Sequence, residues 1–429
     1  MENMGNIVIA SGFLIIVATS LQAIIGLYSV AARTRTANRL DGARLLLFKD
    51  QAATLLKRVD ADREIHELTW NGKRKFRIAR RKYEDPNEDI CSFYLQPHDK
   101  LQVPSFRPGQ FLTFELPIPG QPQPVIRCYS LSDGPVEEAQ YRVSIKKLGP
   151  PPKAPKNTPP GLSSNYFHEN LQEGDIVEVF APAGEFYLDQ ESERPVVLIG
   201  GGVGLTPVVS MLNWLAASGS KREVWFFYGT RHRAEHAMYE NIQEITKNHA
   251  NVNTVVAYSQ PTETCVEGVD YQHQGFVGVD LMKKKLSSNN YVFYICGPPP
   301  MMDMVTKDLE EWGVPEEDIN FEAFGPATVK KAGSTGDEKP AADAPTFEVE
   351  FSRSKVKAQW SANMGTILEL AEANGVKARS GCRAGNCGTC SSALKEGDIE
   401  YLTKPGKKPE AGSCLTCISH PKSNLVLDI

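Results

Sequence analysis

The chain has 429 residues, 41% of them apolar and 23% charged, with a formal net charge of −5. This length accommodates about three domains of ordinary size, and the mildly acidic balance argues against a general nucleic-acid binder. The nine cysteines form no framework of the secreted kind, which points to a reducing compartment.

The N-terminus departs from a globular pattern. From Ile7 to Ala32 run 26 residues without a charge, rich in Ile, Leu, Val and Ala, where a membrane-crossing helix needs about 20. Arg33, Arg35, Arg39 and Arg44 follow, while Glu2 and the amino terminus are the ionic groups ahead. The positive-inside rule then predicts a single-pass anchor with the remainder cytoplasmic. A cleavable signal peptide ending near Val30-Ala31-Ala32 is the rival, but it lacks a basic n-region and its apolar core is too long. Residues 1–45 read as anchor and juxtamembrane segment, and 46–69 as a helical spacer near the bilayer.

Residues 70–190 read as short strands separated by glycine and proline turns: Lys75–Tyr83, Ile90–Gln96, Gln110–Leu116, Tyr141–Leu148 and Asp175–Pro182. Such a series predicts an antiparallel barrel or sandwich. Seven basic residues crowd Lys73–Lys82; a solvated strand face and a contact with anionic lipid or a partner both fit them. Within this block stand Arg127-Cys128-Tyr129-Ser130, Gly161-Leu162-Ser163-Ser164-Asn165 and Pro182-Ala183-Gly184-Glu185-Phe186. Gly161–Ser164 precedes a predicted helix, Asn165–Leu171, so its backbone N–H groups suit a phosphate. A proline-rich insertion, Leu148–Pro160, separates the fourth strand from that turn and reads as a stiff surface loop.

From 191 to 326 the pattern changes to alternating strands and helices: Pro195–Gly201, Thr206–Ala217, Glu223–Gly229, Ala234–Lys247, Asn253–Ser259, Val279–Leu286, Tyr291–Gly297, Met301–Trp312 and Ile319–Phe324. This predicts a parallel sheet covered by helices. Its first turn, Gly200-Gly201-Gly202-Val203-Gly204-Leu205-Thr206-Pro207, lets backbone approach a pyrophosphate, with Thr206 expected to cap the helix and Pro207 to open it. A second motif, Cys296-Gly297-Pro298-Pro299-Pro300, sits at a later strand's C-terminal end, where ligands bind in open α/β sheets. A buried structural cysteine is the competing reading of Cys296.

Residues 327–344 hold Gly, Ala, Pro and charge without apolar periodicity and read as a flexible linker. Beyond it, in residues 345–429, Cys382, Cys387 and Cys390 stand at C-x4-C-x2-C, with Cys414 and Cys417 further on. That spacing is the ligand frame of a plant-type 2Fe–2S cluster. Gly381, Gly385 and Gly388 are expected to allow positive φ and to turn backbone N–H groups toward the sulfurs. A zinc site would prefer two C-x2-C pairs, and a disulfide does not suit a glycine-lined loop in a reducing compartment.

Together these motifs resemble the ferredoxin–NADP reductase superfamily over about residues 70–429. The form is that of single-chain reductases with a C-terminal plant-type ferredoxin domain, the reductase components of multicomponent oxygenases. The resemblance implies a flavin-binding β-barrel (70–190), a nicotinamide-nucleotide α/β domain (191–326) and a β-grasp ferredoxin domain (345–429). It implies that Arg127 pairs with the flavin pyrophosphate, Tyr129 packs on the isoalloxazine and Ser130 bonds near its reactive nitrogen. Gly161, Ser163 and Ser164 would hold the second phosphate of FAD. Gly202, Gly204, Thr206, Pro207, Gly297 and Pro298 would line the NAD(P)H site, Cys296 would lie beside the hydride-bearing ring carbon, and Glu322 and Phe324 would reach the flavin face. Cys417, from the family's L-x-C ending, would complete the cluster. Arg231 and Arg233 stand where a 2′-phosphate would bind; NADH is nonetheless expected, as in related oxygenase reductases.

The implied activity passes electrons from NAD(P)H through FAD and the cluster to a terminal oxygenase or other acceptor protein, with no nucleic-acid partner. An electron-input subunit of a membrane quinone reductase is the alternative, although that subunit places its cluster domain ahead of the flavin domain. A redox-sensing module is the other.

Overall fold

The computed structural model describes residues 19–23, 26–27, 48–49, 69–121, 123–135, 140–150, 158–324, 345–361, 364–385, 387–402, 405 and 409–429. The chain divides into two compact units, Met1–Glu67 and Leu68–Ile429. In the first unit, residues 19–23, 26–27 and 48–49 are helical and exposed. Among the described residues no helix is long and apolar enough to cross a membrane. Most of the anchor expected over 7–32, most of the spacer over 46–69, all of the linker over 327–344 and most of the proline-rich insertion lie outside the described residues.

The second unit opens with β1 (Arg74–Tyr83), β2 (Ile90–Pro97), β3 (Phe111–Leu116), β4 (Val125–Ser130), β5 (Tyr141–Lys146), α1 (Leu162–Glu169) and β6 (Ile176–Val179). The strands form an antiparallel sheet in the order β4-β3-β6-β1-β2-β5, and an antiparallel bridge from Leu131 to Val143 joins its two edges. Alternation drives the closure: Phe76, Phe93, Leu95, Phe114 and Val143 point inward and are fully buried. Phe167 of α1 plugs the interior, its ring 5.1 Å from Phe93, 5.2 Å from Phe114 and 5.3 Å from Tyr129. Burying a ring of that size is worth about 1.5–3 kcal/mol, and here it also fixes α1 against the tyrosine of β4.

The basic run on β1 is largely consumed within the barrel. Lys73 pairs with Glu115 and Glu178, Arg74 with Asp99, and Lys82 with Glu84. Arg80 lies over the Tyr94 ring at 3.8 Å, and Arg81 bonds Gln172 and the His168 carbonyl.

A parallel sheet follows, built from β7 (Val196–Gly201), β8 (Val224–Thr230), β9 (Val252–Tyr258), β10 (His273–Gln274), β11 (Val292–Cys296) and β12 (Ile319–Glu322) in the order β10-β9-β8-β7-β11-β12. All six residues of β7 are buried, as both faces of a parallel sheet require. The helices are α2 (Leu205–Ala217), α3 (Tyr239–Asn248), α4 (Val279–Lys283) and α5 (Pro299–Glu311). Helix α2 also docks this domain on the barrel: Ser210 Oγ donates to the Asp133 carbonyl at 2.6 Å, and Asn213 Nδ2 reaches Asp133 Oδ1 at 3.2 Å.

The C-terminal domain contains β13 (Phe347–Phe351), β14 (Val356–Trp360), α6 (Ile367–Ala373), β15 (Ser391–Glu396), β16 (Ile399–Tyr401), β17 (Ser413–Leu415), β18 (Ser419–Pro421) and β19 (Leu425–Leu427). Its main sheet runs β14-β13-β19-β15-β17, with β13 and β19 parallel and the other pairs antiparallel. Thr366 caps α6 through a reciprocal pair with Glu369, so the helix start is fixed locally. Its residues Ile367, Leu370 and Ala371 fill the core under the sheet.

Three local expectations are corrected. The helix expected over Asn165–Leu171 begins at Leu162, with Gly161 as its N-cap, so Ser163 and Ser164 lie in its first turn and not ahead of it. Thr206 does not cap α2: Gly204 holds that position, and the Thr206 hydroxyl donates to the Val203 carbonyl at 3.1 Å. Pro207 is accordingly the third helical residue, still within the turn whose N–H groups lack intrahelical partners.

Candidate functional site

A cavity of about 520 Å³ lies where the three domains of the second unit meet. The barrel contributes Phe111, Arg127, Cys128, Tyr129, Ser130, Lys146 and the Gly161–Ser164 turn; the parallel-sheet domain contributes Val203, Thr206, Glu322, Ala323 and Phe324; the cysteine loop contributes Gly381, Cys382 and Arg383. Three segments far apart in sequence therefore share one chamber.

Strand β4 sets the chemistry of one wall. Burial pulls the Arg127 guanidinium below its usual range, and the nearby Arg383 adds to this; an anion in the cavity would reverse both costs. Tyr129 donates its hydroxyl to Ser163 Oγ at 2.9 Å, and burial pushes it up to about 12, so its ring is a neutral, locked platform. The first turn of α1 carries no acidic residue and no side-chain cap, leaving backbone N–H groups available to a phosphate.

The titratable group comes from the parallel-sheet domain, at the end of β12. Its Glu322 Oε2 and the Oγ of Ser130, the last residue of β4, are buried and make no well-formed hydrogen bond with any described residue. Burial pushes the Glu322 carboxyl up to about 8, and the neighbouring Ser130 hydroxyl pulls the other way. Glu322 is thus a protonated acid at neutral pH. Two unpartnered polar atoms beside an aromatic platform and an arginine fit a planar heteroaromatic ring carrying phosphates.

Cys296 is fully buried, pairs in register with Glu322 and is not among the residues that line the cavity. A Cβ on Gly204 would run into the Cys296 carbonyl, so the glycine serves close packing of the two turns. Gly202, by contrast, has a φ of +53° and open space around it. Gly202, Gly204, Pro207, Gly297 and Pro298 cluster at the C-terminal ends of β7 and β11, outside the cavity lining. Arg231 stands apart from them. Its Nε and Nη2 fork onto Glu235 at 2.9 and 2.6 Å. Arg233 lies 3.9 Å from the Tyr239 ring centroid, with Glu240 at 3.6 Å and Asp270 at 3.8 Å.

The cysteine loop brings four thiols into two pairs. Cys382 N donates to Cys387 Sγ at 3.2 Å, and Cys387 N returns a bond to Cys382 Sγ at 3.3 Å. Ala384 N and Thr389 N add bonds to the same two sulfurs at 3.4 and 3.5 Å. Cys390 Sγ and Cys417 Sγ lie 3.1 Å apart. Cys414, three residues away, is buried in the hydrophobic core with Val349, Phe351 and Leu427. Among the described residues no three donors of the His, Cys, Asp and Glu classes converge on one point. The two thiol pairs suit two irons. Gly385 and Gly388 have positive φ, but Gly381 does not. Its role is space: a Cβ there would lie 2.8 Å from Cys387 Sγ.

Phe111, Lys146 and Arg383 line the chamber without having been singled out from sequence. Arg383 carried a local signal, its place between two spaced cysteines. It takes a left-handed backbone (φ 56°) and forks onto Glu372.

Comparison with known proteins agrees with this division. Residues 76–187 match the oxidoreductase FAD-binding domain family, 198–307 the oxidoreductase NAD-binding domain family, and 349–422 the 2Fe-2S iron-sulfur cluster binding domain family. A flavohemoprotein of Halalkalibacterium halodurans is 38% identical over 258 residues, 60% of this chain and 61% of that one. The chain thus spans about three-fifths of the length of the curated relatives it matches. The solved FAD/NAD-binding domain of nitric oxide dioxygenase from Vibrio cholerae O1 biovar El Tor is similar at 32% identity and a TM-score of 0.51, covering 59% of this chain and 99% of that one. Phthalate dioxygenase reductase, described as modular for electron transfer from pyridine nucleotides to [2Fe-2S], matches at 27% identity and a TM-score of 0.52, covering 83% of this chain and 98% of that one.

Proposed function

Because the chain belongs to the ferredoxin–NADP reductase superfamily, with FAD-binding, NAD-binding and 2Fe–2S cluster-binding domains in that order, we propose that this oxidoreductase draws electrons from NADH and delivers them singly to a separate acceptor protein, an oxygenase in the favoured case. The observation that carries the reading is the shared chamber, whose walls come from all three domains. A bound flavin supplies the conversion between a hydride, which brings two electrons, and a cluster that takes one.

The chain's own residues would do the rest. Arg127 offers a charged fork to the pyrophosphate, Tyr129 holds the ring plane, and the α1 turn serves a second phosphate, which favours FAD over FMN. Ser130 and Glu322 present hydrogen-bonding atoms to the ring edge, with Glu322 keeping its proton at neutral pH. Cys382, Cys387, Cys390 and Cys417 would hold the two irons, one pair each. The choice of NADH is supported by Arg231 and Arg233, whose charges are engaged by Glu235, Glu240 and Asp270 and are not left free for a 2′-phosphate.

The uncharged run 7–32 and the arginines after it support attachment to a membrane with the catalytic part on the cytoplasmic side. Attachment would raise the reductase's effective concentration near a membrane-bound acceptor.

The test is steady-state reduction of ferricyanide and of cytochrome c by purified protein, with NADH and with NADPH. NADH-driven reduction of both, with the higher kcat/KM for NADH, supports the reading. Absence of reduction by either nucleotide would leave a sensor or binding module.

A further inference from the structure

Strand β8 ends at Thr230, and the loop after it carries two arginines, Arg231 and Arg233, followed closely by Glu235. In nucleotide-binding α/β sheets the residues after the second strand face the adenosine ribose, where NADPH differs from NADH by a 2′-phosphate. Arg231 is open to such a group, with its side chain 57% exposed. Its Nε and Nη2 are nevertheless both turned onto the Glu235 carboxylate, at 2.9 and 2.6 Å. That is the same two-point geometry a phosphate would use.

An exposed ion pair ordinarily contributes little and opens easily. Glu235 differs, because its side chain is only 10% exposed and its backbone is pinned. Its N–H donates to the His232 carbonyl at 3.1 Å, and its carbonyl accepts from Thr230 Oγ1 at 3.2 Å. The barrel holds the chain on either side: Asn87 N donates to the Ala234 carbonyl at 3.2 Å, and Met238 N to the Glu84 carbonyl at 2.9 Å. Lys146 Nζ of β5 stands 4.0 Å from Glu235 Oε2, and His232 Nε2 lies 3.7 Å from Oε1. The carboxylate is therefore fixed in place. A 2′-phosphate could take Arg231 only by displacing this acid or by lying against its like charge, and both reject the phosphorylated nucleotide. Arg233 is engaged elsewhere, over the Tyr239 ring and beside Asp270, so the choice at Arg231 rests on Glu235.

We propose that Glu235 is the specificity-determining residue for the nucleotide: by holding Arg231 in a fork that the barrel keeps rigid, it excludes 2′-phosphorylated adenosine and so NADPH. The proposal deepens the NADH reading given above and rests on it.

The test uses full-length holoprotein and compares kcat/KM for NADH and NADPH, together with calorimetric binding of 2′,5′-ADP and 5′-AMP. E235Q keeps the size of the side chain and removes its charge. The NADPH-to-NADH ratio of kcat/KM should rise roughly tenfold, through a lower KM for NADPH and not through kcat. 2′,5′-ADP should bind more tightly by a similar factor while the affinity for 5′-AMP stays in place, a split that a merely structural role would not produce. Adding R231A to E235Q should remove both gains. An unmoved ratio in E235Q, or a gain that survives in the double variant, would overturn the proposal. If E235Q does not fold, E235D decides: it keeps the charge but shortens the reach to Arg231, so the ratio should rise by a smaller factor, and an unmoved ratio overturns the proposal. A wild-type protein that oxidises neither nucleotide, or that prefers NADPH, would instead defeat the reading beneath it.

Discussion

Around the cavity the chain presents polar atoms, Ser130 Oγ and Glu322 Oε2, that make no well-formed hydrogen bond with any described residue, beside an arginine held at the cost of its own desolvation. Around the cysteine loop it presents thiols already sorted into two pairs, with four backbone N–H groups aimed at one pair. The first region waits for a ligand held by separable contacts, each worth a fraction of the whole. The second is organised for covalent ligation, in which each thiol completes a coordination shell. Substitutions in the two regions should therefore differ in kind: graded losses around the cavity, all-or-none losses in the loop.

The largest effect is expected at Cys417. C417S should abolish the visible absorbance and the reduced-state EPR signal of the cluster, whereas C414S should leave both, because Cys414 belongs to the hydrophobic core. The reverse outcome would break the contrast at its strongest point.

Arg127 should show the graded behaviour. Removing a charge-assisted hydrogen bond costs about 1.5–3 kcal/mol, so R127A should bind flavin roughly ten- to a hundredfold more weakly, as read by fluorescence titration of flavin-free protein. The cluster spectrum should remain. Unchanged flavin affinity would place the phosphate elsewhere.

Glu322 sharpens the comparison through pH. With its carboxyl pushed up to about 8, the neutral acid is present below that pH and lost as pH rises through it. Hydride transfer that relies on the neutral form should fall about tenfold for each pH unit beyond, and E322Q should flatten this alkaline limb. A limb that survives in E322Q would assign it to another group.

Much of the fold was legible because the physics was local. Short β-rich runs between glycine and proline turns marked β1, β2, β3 and β5, and strand–helix alternation marked the parallel sheet. Strand β4 was missing from the predicted strands because five of its six residues are half-buried, so it has no clean apolar face. Two-residue β10 is too short to carry a period. The site was legible where spacing encodes chemistry, as at Cys382, Cys387 and Cys390. It was illegible where packing decides: nothing in the glycine turn's spacing tells that Gly204 lies against the Cys296 backbone. Phe111 and Lys146 enter the chamber only because β3 and β5 flank it.

The central claim is that electrons reach the cluster only through the chamber shared by the three domains. The most direct measurement is the EPR signal of the cluster after anaerobic addition of NADH to protein from which flavin has been removed, before and after FAD is restored. The account predicts an oxidised, silent cluster without flavin and a reduced, EPR-active one once FAD is back. A cluster reduced equally well in the flavin-free protein, or one that stays oxidised with FAD present, would contradict it.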